Sequence, residues 1–234
     1  MRGLSYGRDG VPILTGIEAD LRHRRIAVLG RNGSGKSTLL RALCGLIEPD
    51  AGDVLIDGVD VLRDRKGALR KIGILFQNPD HQIIFPTVGE EVAFGLRQTG
   101  LSKREAHARA RAALDRFGRA AWQDRATATL SQGQRHLVCL IAVLAMEPAV
   151  IALDEPFSGL DIPTTRGLTR MLEQSPATLV HVTHDPRLVA DYDHAIWLSG
   201  GRVAEQGPAG DVLPRFEARM AQEGEADAFA DLPG

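Results

Sequence analysis

At 234 residues and 44% hydrophobic composition, the chain is long enough to bury a sizeable core without disulfide staples, as one large domain or one domain with a subdomain. A formal net charge of −2 argues against the general attraction to a polyanion that nucleic-acid binders display, so no nucleic-acid partner is expected. Cys44 and Cys139 fall inside apolar helical patterns and read as small buried hydrophobes in a reducing compartment, and the longest apolar run, 137–146, is too short to span a bilayer core of about 30 Å.

Residues 4–21 are divided by Gly7, Gly10, Pro12 and Gly16 into short pieces of β character, and Val54, Leu55 and Ile56 before Asp57-Gly58 read likewise; together they predict an antiparallel sheet beside the ligand. The basic run Arg22-His23-Arg24-Arg25 reads as a solvated turn. Residues 26–29 predict a buried strand and 38–43 a helix, and between them Gly30-Arg31-Asn32-Gly33-Ser34-Gly35-Lys36-Ser37 is a complete G-x-x-x-x-G-K-[ST] loop. Its glycines let successive N–H groups turn inward, and the helix that follows adds its positive end, so the natural occupant is a polyphosphate. Lys36 neutralises the β and γ phosphates there, and the Ser37 hydroxyl holds a magnesium ion. The loop alone leaves kinases, GTPases and several ATPase families open.

Apolar runs at 72–76, 149–153 and 178–183 have the near-continuous burial of strands in a parallel sheet covered on both faces. Each ends in polar residues, and the carboxyl ends of such strands gather ligands, so Gln77, Asp154-Glu155 and His184 are expected to converge on the phosphate loop. From 86 the composition turns to helix formers rich in Ala and Arg, with a capping-box match, Ser102-x-x-Glu105, opening a helix through about 117. This predicts a helical subdomain at about 86–147. A helix-like piece at 187–192, a hairpin over 195–205 around Ser199-Gly200-Gly201, a helix at 211–222 and a mobile acidic tail complete the chain. The fold class is α/β, of the phosphate-loop NTPase type, with one domain over 1–207 and a terminal helix and tail over 208–234.

The strand ending in Asp154-Glu155 is a Walker B pattern, with Asp154 beside the magnesium ion and Glu155 placed to polarise an attacking water. Upstream lies Leu130-Ser131-Gln132-Gly133-Gln134 and downstream Ser158-Gly159-Leu160-Asp161. In this order the motifs resemble the ABC-type ATPases, whose signature is LSGGQ; Gln132 departs at the first glycine, while Ser131, Gly133 and Gln134 match. The fold the resemblance implies is an ABC-type nucleotide-binding domain with an antiparallel β subdomain and an inserted helical one. The resemblance implies a head-to-tail homodimer that sandwiches two ATP molecules, each bound by the loop of one protomer (Asn32, Gly33, Ser34, Gly35, Lys36, Ser37 and Thr38) and by Ser131, Gly133, Gln134 and Asp161 of the other. It further implies Tyr6 stacked on adenine, Gln77 as a magnesium ligand and sensor, and His184 as the switch histidine at the γ-phosphate.

The stretch Gln77-Asn78-Pro79-Asp80-His81-Gln82 looks like the corresponding loop of energy-coupling-factor ATPases, which power vitamin and cobalt or nickel importers. Residues 131–140 and 155–164 are similar to those of the ATPases of dedicated biotin importers. This implies biotin as cargo, a transmembrane T subunit and a substrate-binding membrane subunit as partners, and a peripheral position on the cytoplasmic face of the cell membrane through them. A cobalt or nickel importer and a soluble iron–sulfur-assembly ATPase are the alternatives. Ile83, Ile84, Phe85, Val88, Val92 and Phe94 are the expected groove lining for the T subunit.

Overall fold

A computed structural model describes residues 1–227 of the chain, with side chains through residue 223. In chain order its elements are β1 (Arg2–Arg8), β2 (Val11–Ile17), β3 (Arg25–Leu29), α1 (Lys36–Leu43), β4 (Ala51–Asp53), β5 (Leu55–Ile56), β6 (Val59–Asp60), α2 (Arg65–Lys71) and β7 (Ile72–Leu75). There follow α3 (Val88–Gln98), α4 (Lys103–Arg116), α5 (Gln132–Ala145), β8 (Val150–Asp154), α6 (Ile162–Glu173), β9 (Thr178–Val182), β10 (His194–Ser199), β11 (Arg202–Pro208) and α7 (Ala209–Asp227).

The central sheet has the order β11-β10-β3-β9-β8-β7, parallel throughout except for β11, which returns antiparallel on β10. Both faces are covered, so its strands need no polar side, and the period of two sorts them. Ile26 and Val28 face Leu39, Leu40 and Leu43, whereas Ala27 and Leu29 face Val212, Leu213 and Phe216 of α7. Further along the sheet, Ile151, Leu153 and Leu179 pack with Leu140 and Val143 of α5 and Leu168 and Leu172 of α6. The carboxyl ends of β3, β7, β8 and β9 therefore open on one side, where the loops that carry polar residues leave the sheet.

The second sheet is antiparallel, in the order β2-β1-β4. Its β1–β2 turn is Asp9-Gly10, with φ of 53° and 78°, the double positive φ that a two-residue I′ hairpin demands. One expectation is corrected here. The third strand is Ala51–Asp53, paired with Arg2 and Ser5, while Leu55–Ile56 forms a separate small hairpin with Val59–Asp60 around Asp57-Gly58. Ala51–Asp53 is exposed and carries no apolar alternation that would announce it. What admits it is Gly52, where a Cβ would stand 2.5 Å from Arg2 O.

Between β7 and β8, helices α3, α4 and α5 share a core of their own, including Val92, Leu96, Ala110, Leu114, Val138 and Ile141. Ser102 and Glu105 do form a reciprocal capping box at the start of α4. Val88 and Val92 are fully buried in this core and so do not line an exposed groove, a second correction. The basic run is exposed over 22–24, as the sequence predicts, and it is also anchored: Arg24 donates to Ser175 O, and Arg25 donates to Glu173 O and Ala177 O, satisfying carbonyls at and beyond the end of α6. A short 3-10 turn, Pro186–Val189, replaces the helix expected over 187–192, and Asp193 accepts the Arg25 N–H as β10 begins. The terminal helix runs to Asp227, five residues beyond its expected end, and the rest of the acidic tail lies outside the described residues.

Candidate nucleotide site

The phosphate loop leaves β3 at Gly30, where φ is 156° and a Cβ would fall 2.4 Å from Ser34 Oγ and 2.5 Å from Leu198 O. Gly35, with φ of 99°, opens α1, and its Cα side lies against Leu14 and Ile13 of β2. Gly201 closes the loop from behind. Its N–H donates to Ser34 O at 3.3 Å and its carbonyl accepts from Thr15 N at 2.8 Å. A Cβ there would stand 2.2 Å from Ile13 O. Sequence reasoning reads Gly201 only as a hairpin turn; its second role, bracing the loop against β2, depends on a contact 167 or more positions away and leaves no local signal.

Lys36 is buried, and its Nζ donates to Gly30 O at 2.7 Å and Arg31 O at 2.9 Å, which holds the ammonium across the mouth of the loop. Burial lowers its pKa, and the nearby Glu155 and Asp154 carboxylates oppose that shift. Ser37 Oγ donates to Asp154 Oδ1 at 2.9 Å, joining the loop to the end of β8. Burial raises the Asp154 pKa, with the Ser37 hydrogen bond and the Arg41 charge acting the other way. A hydroxyl and a partly desolvated carboxylate in contact form an all-oxygen donor pair of the kind that suits magnesium. Ser34 Oγ, next to Gly30, is buried without a hydrogen-bond partner.

One residue past Asp154, Glu155 adopts φ of 46° and donates its N–H to Val182 O on β9. Its Oε1 lies 3.1 Å from Nδ1 of His184, which leaves the end of β9 and is largely exposed. The strand ends thus bring together Lys36, Ser37, Asp154, Glu155 and His184, as the sequence predicts. Gln77 follows β7, and its amide nitrogen reaches Ser158 Oγ at 3.4 Å, on the turn after Glu155. Asp161 caps α6, accepting the Thr164 N–H at 2.8 Å, and that hydrogen bonding lowers its pKa. Tyr6 is half-buried on β1 opposite Leu14, packed against the core beneath the loop, and edges a shallow hollow between β1 and β2.

The start of α5 is the other helix terminus of interest. Ser131 accepts the Gln134 N–H at 3.3 Å while Gln134 Oε1 accepts the Ser131 N–H at 3.0 Å, a reciprocal capping box. The box does not use the N–H groups of Gln132 and Gly133, which sit in the first turn, where the positive end of a helix favours an anion. Fully buried His181 lies behind the site: its Nδ1 shares a hydrogen bond of 3.1 Å with Tyr192 Oη, and burial pushes its pKa down to about 4, so it is a neutral core histidine and not a partner for a metal with His184.

A phosphate loop joined to a strand-end carboxylate pair with an opposed histidine is the arrangement of a phosphate-loop nucleoside triphosphatase. Residues 14–158 match the ABC transporter family, and the chain belongs to it. A curated relative from Rhodobacter capsulatus, a biotin transport ATP-binding protein, is 51% identical over 91% of both chains. An energy-coupling factor transporter ATP-binding protein from Methanothermobacter thermautotrophicus is 40% identical over 89% of this chain and 70% of that one. Among solved structures, cbiO1 from Clostridium perfringens, described as part of the transporter complex cbiONQ, aligns with a TM-score of 0.78 at 34% identity over 93% of this chain and 90% of that one. A dimeric ATP-binding cassette bound to ADP and Pi aligns with a TM-score of 0.77 at 25% identity over 89% and 97%. The chain is therefore an ATP-binding, ATP-hydrolysing transporter component, and no helix among its described residues is long and apolar enough to cross a membrane.

Proposed function

We propose that this chain is the ATP-hydrolysing subunit of an energy-coupling-factor importer, that its cargo is biotin, and that it works as a homodimer docked on a transmembrane T subunit and a substrate-binding subunit at the cytoplasmic face of the membrane. The 51% identity to a biotin transport ATP-binding protein over nearly the whole chain carries the substrate reading. The contact of Glu155 with His184 beside Lys36 supports the chemistry: Glu155 takes a proton from the attacking water, His184 steadies that carboxylate and the γ-phosphate, and Lys36 exchanges two backbone carbonyls for phosphate oxygens. Ser37 and Asp154 would hold a magnesium ion, which would supply the remaining charge neutralisation. Tyr6 serves the adenine, and Ser131, Gly133, Gln134 and Asp161 serve the nucleotide of the other protomer.

Docking is assigned to the segment after Gln77. Ile84 is 64% exposed, and Phe85 and Phe94 form a half-exposed ring pair with centroids 5.0 Å apart. Such apolar side chains suit a helix laid into a groove. The test is to purify the chain from native membranes, identify the membrane proteins that accompany it, and measure uptake by the complex. Biotin uptake that is lost with Ile84→Asp or Phe85→Asp, ATP binding being intact, is the expected result. Uptake of cobalt or nickel in place of biotin overturns the cargo, and recovery without any membrane partner overturns the importer.

A further inference from the structure

Two consecutive side chains of α5 grip the turn that follows Gln77. His136 is fully buried, with Nε2 3.2 Å from Gln77 O and Nδ1 3.1 Å from Gln132 O, one turn back on its own helix. Arg135 Nε lies 2.9 Å from Asp80 Oδ1, in the 3-10 turn Pro79–His81, and its Nη1 donates to Leu130 O at 2.7 Å. An Nε2–H donates to Gln77 O and an Nδ1–H to Gln132 O. Gln132 O already sits in the ladder of α5, whereas Gln77 O is outside any helix or strand, so the Nε2–H donation is the one that joins two separate segments.

The contacts close into a ring. The Gln77 side chain reaches Ser158, and the open side of neighbouring Gly159 faces the Gln132 side-chain amide, 3.6 Å from where a Cβ would stand. The turn after β7, the start of α5 and the turn after Glu155 therefore touch one another in pairs, and His136 lies in the middle of two of them.

We propose that His136, backed by the Arg135–Asp80 pair, is a positioning residue that keeps the start of α5 in register with Gln77, so that the site in one protomer fixes where its Ser131 stands at the nucleotide of the other. The inference rests on the sandwich reading of the site. Its test compares His136→Leu, which keeps volume but has no N–H, with His136→Gln, which keeps a donor, by ATPase kinetics and by ATP-driven dimerisation in a Glu155→Gln background. His136→Leu should lower kcat about tenfold or more with KM within about twofold, and weaken dimerisation in parallel, while His136→Gln returns kcat to within about threefold of the parent. Asp80→Ala, at an exposed position, should lower kcat about threefold and Asp80→Glu should not. If His136→Leu does not fold, the Asp80 pair decides alone.

Equal loss in Leu and Gln variants, a rise in KM that accounts for the loss, or full activity of His136→Leu overturns the clamp. A Glu155→Gln parent that stays monomeric with ATP overturns the sandwich, and the clamp's role with it. A parent that dimerises while His136→Leu dimerises equally well overturns the clamp alone.

Discussion

In the proposed mechanism Lys36 and Glu155 act on different objects, one on phosphate charge and one on water, so their variants should separate accordingly. Lys36→Ala should abolish tight ATP binding, whereas Glu155→Gln should bind ATP normally and lose hydrolysis by about 10²-fold or more, read by nucleotide titration and phosphate release. Hydrolysis by Glu155→Gln near the parent rate would remove Glu155 as the base. His181 gives a prediction of a different kind. Its pKa of about 4 in the fold lies below its ordinary 6.5, so the unfolded chain binds the proton first, and stability falls as pH drops from 6.5 towards 4. The gap corresponds to about 3 kcal/mol at most. His181→Asn keeps a hydrogen-bonding side chain beside Tyr192 but cannot titrate, so its urea midpoint should change less over that window than the parent's. Equal slopes would mean that His181 is not the group responsible.

At the scale of elements, the N-terminal end of α3 is tied to the segment before it by one buried carboxylate. Glu91 Oε2 accepts the N–H groups of both Ile84 and Phe85 at 2.9 Å, and burial raises its pKa against those two hydrogen bonds. Glu91→Ala leaves two partly buried donors without a partner and should cost about 2–4 kcal/mol, measured by urea unfolding. Glu91→Gln retains an acceptor and should cost less. The same variants should lose uptake before they lose ATP binding, because the exposed Ile84 loses its anchor and the phosphate loop does not.

The legibility of these elements follows from how local their causes are. The phosphate loop, the Asp154-Glu155 strand end, the capping boxes at Ser102 and Ser131 and the parallel strands are written in adjacent residues, since glycine φ, capping and period-two burial all act within a few positions. Ala51–Asp53 was not legible, because its pairing rests on close approach at Gly52 and not on side chains. Arg24 and Arg25 look solvated in sequence because nothing nearby shows that carbonyls at and beyond the end of α6, about 150 positions away, lie within their reach. Gln77 is read by likeness as a metal ligand, and the structure adds what the sequence does not show, a contact of its amide nitrogen with Ser158.

For the whole molecule, the strongest requirement of the proposed function is that a site draw on two copies. Mixing Lys36→Ala with Ser131→Arg protomers puts both lesions in one of the two composite sites and leaves the other intact, so activity should return although both parent homodimers are inactive. Recovery is measured as ATP hydrolysis after protomer exchange, with light scattering to follow the dimer. Mixtures that stay monomeric with nucleotide, or that exchange without recovered activity, rule out a shared site.

The backbone at Glu155, with its φ of 46°, carries one last consequence. A left-handed conformation costs an ordinary residue about 1–2 kcal/mol, and glycine escapes that cost. Evolution for heat tolerance alone would therefore be drawn to position 155, and Glu155→Gly is the change it would favour there. The winners of such a selection would be sturdier proteins that hold ATP and do nothing with it, so thermal screening of this chain needs a turnover assay run beside it.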